Sequence, residues 1–395
     1  MDLRALKQEV CDAIEASRDA LLRLSREIHA HPELAFEEQR ASALLIAALR
    51  EAGLTVEPGA YGLPTAFAAE FGSARGPCVA LLAEYDALPG IGHACGHNLI
   101  AASAVGAALA LAKLAASLPG RVRMLGTPAE ERGGGKELMA RRGAFDGVDA
   151  ALMMHPSSVN LVSMPCIAMA EVEVTYHGQA AHAAAMPERG VNALDALVLA
   201  YQGIAALRQH IRATERIHGI ITDGGQAPNI VPERAAGRFY VRAANAEDLA
   251  PLKLRVEACF RAGSEATGAE AEIRWDPADY LDIHFNEPLA SAFRSNAEQL
   301  GRVFFPYDKL PASIQGSTDM GNVSHRVPSI HPMLAAAPLH CTIHNAEFAK
   351  WAASELGDAA AIDGAKALAM TALDFFYDEA LRRSAREAFE IGKPA

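Results

Sequence analysis

At the amino-terminal end, apolar residues recur at helical spacing: Leu3, Leu6, Val10 and Ile14, then Leu22, Leu24 and Ile28, then Ala41 to Leu49 before Gly53. This periodicity predicts a helical first segment, ended by Gly53. The period then changes. Val79-Ala80-Leu81-Leu82-Ala83 is a short continuous apolar run, the mark of a strand buried on both faces of a mostly parallel sheet. Val122 to Leu125 and Ala150 to Met154 repeat the pattern, with helical stretches at Leu99 to Leu118 and Lys136 to Arg142 between them. Strand, helix, strand, helix, strand predicts an α/β layer with right-handed crossovers.

From about residue 167 the pattern becomes alternating, with Val172, Val174 and Tyr176 on one face and Glu171, Glu173 and Thr175 on the other. That predicts a strand of antiparallel type with one solvated face. A helix from Asn192 to Ala213, strands Ile217 to Thr222 and Ala235 to Arg242, a helix Ala246 to Ala266 and a strand Ala271 to Trp275 follow. The order βαββαβ describes a small α+β, ferredoxin-like insert. After it, Ala-rich helices resume and end with Ala365 to Ile391. The expected division is therefore one discontinuous domain, 1–166 with 279–395, interrupted by a second, 167–278.

Composition narrows the classes of function. The chain has 395 residues, 36 Lys+Arg against 48 Asp+Glu and a formal net charge of −12. Without a block of Lys or Arg, that charge disfavours nucleic-acid phosphates as partners. Cys11, Cys78, Cys95, Cys166, Cys259 and Cys341 are scattered with no CxxC, as in a reduced intracellular protein. The Met1-Asp2-Leu3-Arg4 start lacks a secretory signal pattern, and the Ala-rich run Leu99 to Leu118 is too weakly apolar for a membrane span. A cytoplasmic protein without transmembrane segments is expected.

The chemistry lies at the strand exits. The first strand runs into Glu84-Tyr85-Asp86 and then His93-Ala94-Cys95-Gly96-His97-Asn98, the second into Thr127-Pro128-Ala129-Glu130-Glu131, the third into His155-Pro156. In an open α/β sheet, ligands sit at the carboxyl ends of the strands, so these loops should converge. Taken singly, His155 reads as a core histidine, Cys95 as a small hydrophobe and Glu130-Glu131 as the first turn of a helix. Taken together, thiol, imidazoles and paired carboxylates suit zinc or a similar transition metal, with one carboxylate free to move protons. Gly133-Gly134-Gly135-Lys136 is not a phosphate loop, because Glu130 and Glu137 occupy its defining positions; it reads as a helix-entry loop. There is no GxSxG elbow. His93 stays unassigned, a loop hydrogen-bonder.

These segments, together with His31-Pro32-Glu33-Leu34, Phe36-Glu37-Glu38, Gly178-Gln179-Ala180-Ala181-His182-Ala183 and His344-Asn345-Ala346-Glu347-Phe348, keep the motif order of a known family along almost the whole chain. The sequence resembles the aminoacylase and carboxypeptidase type of metallopeptidases, family 20. Within it, the chain looks most like the amidohydrolase branch with Cys in the metal loop, which holds aminobenzoyl-glutamate hydrolases, auxin-conjugate amidohydrolases and β-alanyl dipeptidases. The resemblance implies a zinc-peptidase-like catalytic domain carrying two divalent metal ions, with the insert as lid and homodimerisation surface. Its implied ligands are Cys95, His97, Glu131, His155 and His344. Glu130 would be the general base toward a metal-bridged hydroxide, Asp86 would orient a ligand, and His182 would stabilise the oxyanion of a neighbouring protomer's site. Asn229 and Arg242 resemble the substrate-binding pair; Arg242 reads equally as an outward charge on a half-solvated strand. The Gly316–Gly321 segment would line the cleft.

Glu84 stands where many relatives outside the branch carry a metal-binding His, and Asn98 where auxin-conjugate hydrolases usually have Asp. Both point toward the aminobenzoyl-glutamate and β-alanyl dipeptidase side. The metal could be zinc, manganese or cobalt. The expected activity is hydrolysis of the amide bond of an N-acyl amino acid or dipeptide. The alternatives are an aminohydrolase releasing ammonia from a small aromatic or amidine-like substrate, and an inactive metal- or ligand-binding relative.

Overall fold

A computed structural model describes residues 2–311 and 315–392. They form two units: Cys166–Asp282, and the chain up to Pro165 together with the chain from Ile283 onward.

The larger unit is built on a six-stranded sheet. Its order is Val56–Pro58, Phe67–Gly72, Arg121–Gly126, Cys78–Ala83, Ala150–Leu152 and Ser329–Ile330. The last four strands run parallel, and Phe67–Gly72 joins them antiparallel. Strand Cys78–Ala83 is buried throughout, and its pleat sorts its side chains. Val79, Leu81 and Ala83 join the core formed with helices His97–Lys113 and Glu355–Tyr377, while Cys78, Ala80 and Leu82 face Met139, Phe145, Met320 and Val323. A strand with no solvated face must read as a continuous apolar run, because either face is equally dry. Helix His97–Lys113 is apolar all round for the same reason, being buried almost along its whole length.

Two- and three-residue strands such as Val56–Pro58 and Ser329–Ile330 escaped the sequence because they are too short to show a period. A further pair, His155–Ser157 with Met333–Ala335, forms a separate parallel ladder. The terminal helical stretch is two helices, Glu355–Tyr377 and Glu379–Ile391. Asp378 separates them in an extended conformation and caps the second by accepting from the Ala380 and Leu381 amides. Among the described residues no helix is long and apolar enough to cross a membrane.

The smaller unit has the element order βαββαβ in a fully antiparallel sheet, Glu270–Trp275, Ala168–His177, Arg234–Ala243, Arg216–Asp223. Helices Ala193–Leu207 and Ala246–Thr267 carry Leu197, Ala200, Val256 and Phe260 into its core with Val172, Val174 and Tyr176. The expected solvated face of Ala168–His177 is only partly so. Glu171 and Thr175 are buried, and the Glu171 carboxylate meets the Arg238 guanidinium at 3.3 Å.

Candidate active site

Strands Cys78–Ala83, Arg121–Gly126 and Ala150–Leu152 are parallel neighbours, so their exits meet at one edge of the sheet. Asp86 lies beyond the first strand. Its Oδ1 is 2.9 Å from His97 Nδ1, and its Oδ2 accepts the Glu131 amide at 2.8 Å, which ties two loops to one carboxylate. An imidazole whose Nδ1–H is donated to a carboxylate presents Nε2 as a lone pair, the arrangement of metal-ligating histidines. His97 Nε2 is fully buried without a hydrogen-bond partner. It faces Glu84 Oε2 at 3.5 Å, Glu131 Oε1 at 3.7 Å and Glu130 Oε2 at 3.8 Å. Cys95 Sγ lies 3.3 Å from His155 Nε2, and the other His155 nitrogen lies 2.7 Å from the Pro156 carbonyl. His344 Nε2 completes the rim, 3.6 Å from Glu131 Oε2.

Gly96 makes this convergence possible. It adopts φ +78°, and a Cβ there would meet Pro156 Cγ at 2.6 Å, so only glycine lets the Cys95–His97 turn close on the His155–Pro156 loop.

At these strand exits three sets of donors could each surround one ion: Cys95, His97 and His155; Cys95, Glu131 and His344; Glu84, His97 and Glu130. The orphaned His97 Nε2 and Glu131 Oε1 fit a bound cation, since buried polar atoms otherwise find partners. The acid–base behaviour agrees. Burial, then the Glu84 and Glu131 charges, push the Glu130 carboxyl well above its usual range. Burial holds Glu131 up at about 7 against the pull of His97, and burial and Glu131 together raise the Cys95 thiol. So many buried acids are compatible with neutral pH when divalent charge compensates them. Thiolate, imidazole and carboxylate together select a transition metal over calcium or magnesium.

In the smaller unit, His182 and Asn229 lie on adjacent backbone segments: His182 bridges Ile230, and the Ala183 amide donates to the Asn229 carbonyl at 3.0 Å. His182 is exposed, and its Nδ1 accepts from the Ala184 and Ala185 amides at 3.3 and 3.1 Å. In the neutral ring this places the donor hydrogen on Nε2. Arg242 is elsewhere. It sits at the far end of strand Arg234–Ala243, whose near end pairs with His177, roughly 26 Å along an extended chain. There its Nε lies 3.3 Å from His218 Nε2, and its guanidinium lies 5.6 Å from the Tyr240 ring centroid.

Residues 80–368 match the description of Peptidase family M20/M25/M40. Xaa-Arg dipeptidase of Mus musculus is 43% identical over 403 residues, covering 98% of this chain and 93% of the relative. This chain belongs to the M20/M25/M40 peptidase family. A second relative, Xaa-Arg dipeptidase of Homo sapiens, is 40% identical, with 99% and 93% covered. A p-aminobenzoyl-glutamate hydrolase polypeptide of Escherichia coli (strain K12) is 31% identical, with 95% and 93% covered. Among solved structures, the aminobenzoyl-glutamate utilization protein from Klebsiella pneumoniae superposes with a TM-score of 0.77 over 93% of this chain and 98% of that one, at 20% identity, which shows the shared fold. The M20/M25/M40 chain is thus a hydrolase of amide and peptide bonds from a metallopeptidase family.

The structure adds to this M20/M25/M40 site several contacts that the sequence does not record. Lys136, in what does serve as a helix-entry loop, is fully buried; its Nζ donates to Glu84 and, at 2.7 Å, to Asp319 Oδ1. Glu84 is thereby part of an ionic cluster, and Asp319 of the Gly316–Gly321 segment belongs to the same cluster. Asn98 points away from the chemistry, donating to Ser25 Oγ and the Ala352 carbonyl at 2.8 and 2.9 Å. His93 is buried and stacks on His29 with ring centroids 6.1 Å apart. His331 is buried edge-on to His155 at 5.2 Å. Its signal was present: Ile330-His331-Pro332 repeats the strand, His, Pro pattern of Met154-His155-Pro156.

Proposed function

We propose that this M20/M25/M40 hydrolase is a two-metal dipeptidase that releases a carboxyl-terminal amino acid, with a basic residue preferred at that position. The observation that carries the chemistry is the orphaned, fully buried His97 Nε2 beside Glu130 Oε2 at 3.8 Å: a ligand nitrogen and a proton acceptor share one dry pocket. The substrate preference rests on the two Xaa-Arg dipeptidases aligned over nearly the whole chain.

Cys95, His97, Glu131, His155 and His344 would hold the two ions, zinc, manganese or cobalt. Bound divalent ions would polarise the scissile carbonyl and acidify water. Glu130 takes the proton of the attacking water and returns it to the leaving amine; burial, which opposes its ionisation, favours holding that proton between the two transfers. Asp86 keeps His97 in its ligand tautomer. His182, with its donor hydrogen on Nε2, is the donor to the tetrahedral oxyanion. Asn229 and Arg242 bind substrate, Arg242 through the carboxylate.

The enzyme acts as a homodimer through the smaller domain, which serves as lid. Two observations support this. Strand Arg216–Asp223 is a sheet edge with Ile220 and Ile221 exposed, a surface that natural proteins seldom leave uncovered. His182 and Asn229 also lie at one end of the sheet and Arg242 at the other, as expected if two copies complete each site. The scattered free cysteines support a cytoplasmic location.

The experiment is Glu130→Gln, assayed with Xaa-Arg, Xaa-Lys, β-alanyl dipeptides and p-aminobenzoyl-glutamate. Turnover should vanish while elemental analysis still finds two metals per chain, and wild-type enzyme should release free amino acid. Ammonia as the product, or undiminished turnover in the variant, would overturn the reading.

A further inference from the structure

The segment His31–Glu38 contributes no ligand and no proton, yet it touches two of the loops that carry the chemistry. The Glu33 carbonyl accepts the Ala87 amide at 2.8 Å, one residue beyond Asp86. The Glu33 carboxylate caps helix Gln39–Glu51 by accepting from the Arg40 and Ala41 amides, both at 2.9 Å. Glu38 is fully buried. Its Oε1 accepts the Ala129 amide at 2.9 Å and the Phe36 amide at 3.0 Å, and its Oε2 accepts the Thr65 hydroxyl at 2.8 Å.

Ala129 is the residue before Glu130, and it is held at φ +60°. A residue with a Cβ enters this left-handed region only at a cost, and persists there when surrounding structure over-determines it. Ala129 is fully buried, so no water competes for its amide; the Glu38 oxygen is its partner. Downstream, Gly133 packs under Phe36: a Cβ on Gly133 would come within 2.5 Å of Phe36 Cε2. Phe36, itself at φ +66°, therefore covers the far end of the loop that Glu38 grips at its start.

From this geometry we infer that Glu38 is a positioning residue for Glu130, fixing the left-handed Ala129 turn that sets the direction of the base. The inference rests on Glu130 being that base. A buried carboxylate with three donors is an expensive way to hold a turn. Burial, then the Asp86 charge, already push the Glu38 carboxyl up to about 7. Ordinary packing does not require such a group, and a leucine of similar size would fill the space. What leucine cannot do is accept the Ala129 amide.

The test pairs Glu38→Leu with Glu38→Gln, since glutamine retains a carbonyl acceptor for both amides. Misplacing a catalytic group by about 1 Å costs on the order of 100-fold. Glu38→Leu should therefore lower kcat by about 30- to 100-fold, with KM and metal content unchanged. Glu38→Gln should stay within about threefold of wild type, and adding Ala129→Gly to Glu38→Leu should recover part of kcat, because glycine holds φ +60° without strain. In the wild-type holoenzyme, the Ala129 amide should exchange with deuterium as slowly as the sheet amides; this measurement stands even if Glu38→Leu fails to fold. Fast exchange of that amide, wild-type kcat in a folded Glu38→Leu, or equal losses in both variants would overturn the inference. Glu130→Gln, run alongside, separates the two claims. If it is inactive while Glu38→Leu is fully active, only the positioning role fails; if it is active, the base assignment fails.

Discussion

Lys136→Met isolates the contribution of one buried cation. Lys136, Glu84 and Asp319 are all fully buried, and one ammonium serves two carboxylates. Burial already holds the Asp319 carboxyl up at about 6, with Lys136 pulling against it, and the two acids hold the ammonium above the usual lysine range. Methionine preserves most of the aliphatic stem, so the loss is electrostatic. Removing one partner of a buried ion pair costs about 3–5 kcal/mol. A second route gives the same size: the stranded Asp319 can escape as the neutral acid, and protonating an aspartate of ordinary pKa costs about 4 kcal/mol at pH 7 and about 2 kcal/mol at pH 5.5. The sign follows from linkage. The variant's folded carboxyl has a pKa raised above its unfolded value, so the deficit is greatest at high pH and shrinks on acidification. Urea unfolding of wild type and Lys136→Met at pH 7.5 and 5.5 should show a destabilisation of about 4 kcal/mol that falls by roughly half. A loss below about 1 kcal/mol, or one of equal size at both pH values, would refute the compensation argument.

Two further substitutions probe the assembly. Gly96→Ala adds a Cβ at φ +78° and 2.6 Å from Pro156, so it should cost about 1–3 kcal/mol in thermal stability and displace the Cys95–His97 turn; retention of full metal content and stability would show that the loop tolerates a side chain. Ile220→Asp places a charge on the exposed edge strand Arg216–Asp223, where Ile220 is 65% exposed. It should shift the mass measured by light scattering from dimer to monomer without changing metal content, and an unchanged dimer would place the contact between protomers elsewhere.

The parts of the fold legible in the sequence were those where burial imposes a period. The all-buried strand Cys78–Ala83, the helices of the first fifty residues and the βαββαβ order of the smaller unit were read from local patterns, because each pattern records which faces are dry. Strand exits rich in His, Cys and Glu likewise announced a site, since parallel neighbours deliver their loops to one edge. Residue types alone pointed to metal-dependent chemistry.

Tertiary structure decided the rest. Lys136 looks like a surface lysine in a glycine loop until Glu84 and Asp319, 52 and 183 positions away, enclose it. Glu38 reads as one of two adjacent acids until the Ala129 amide, 91 positions on, reaches its oxygen. For Lys136 and Glu38 alike, a charged side chain gave up water for partners distant in the chain. The free energy of that exchange depends on who those partners are, which no local period records.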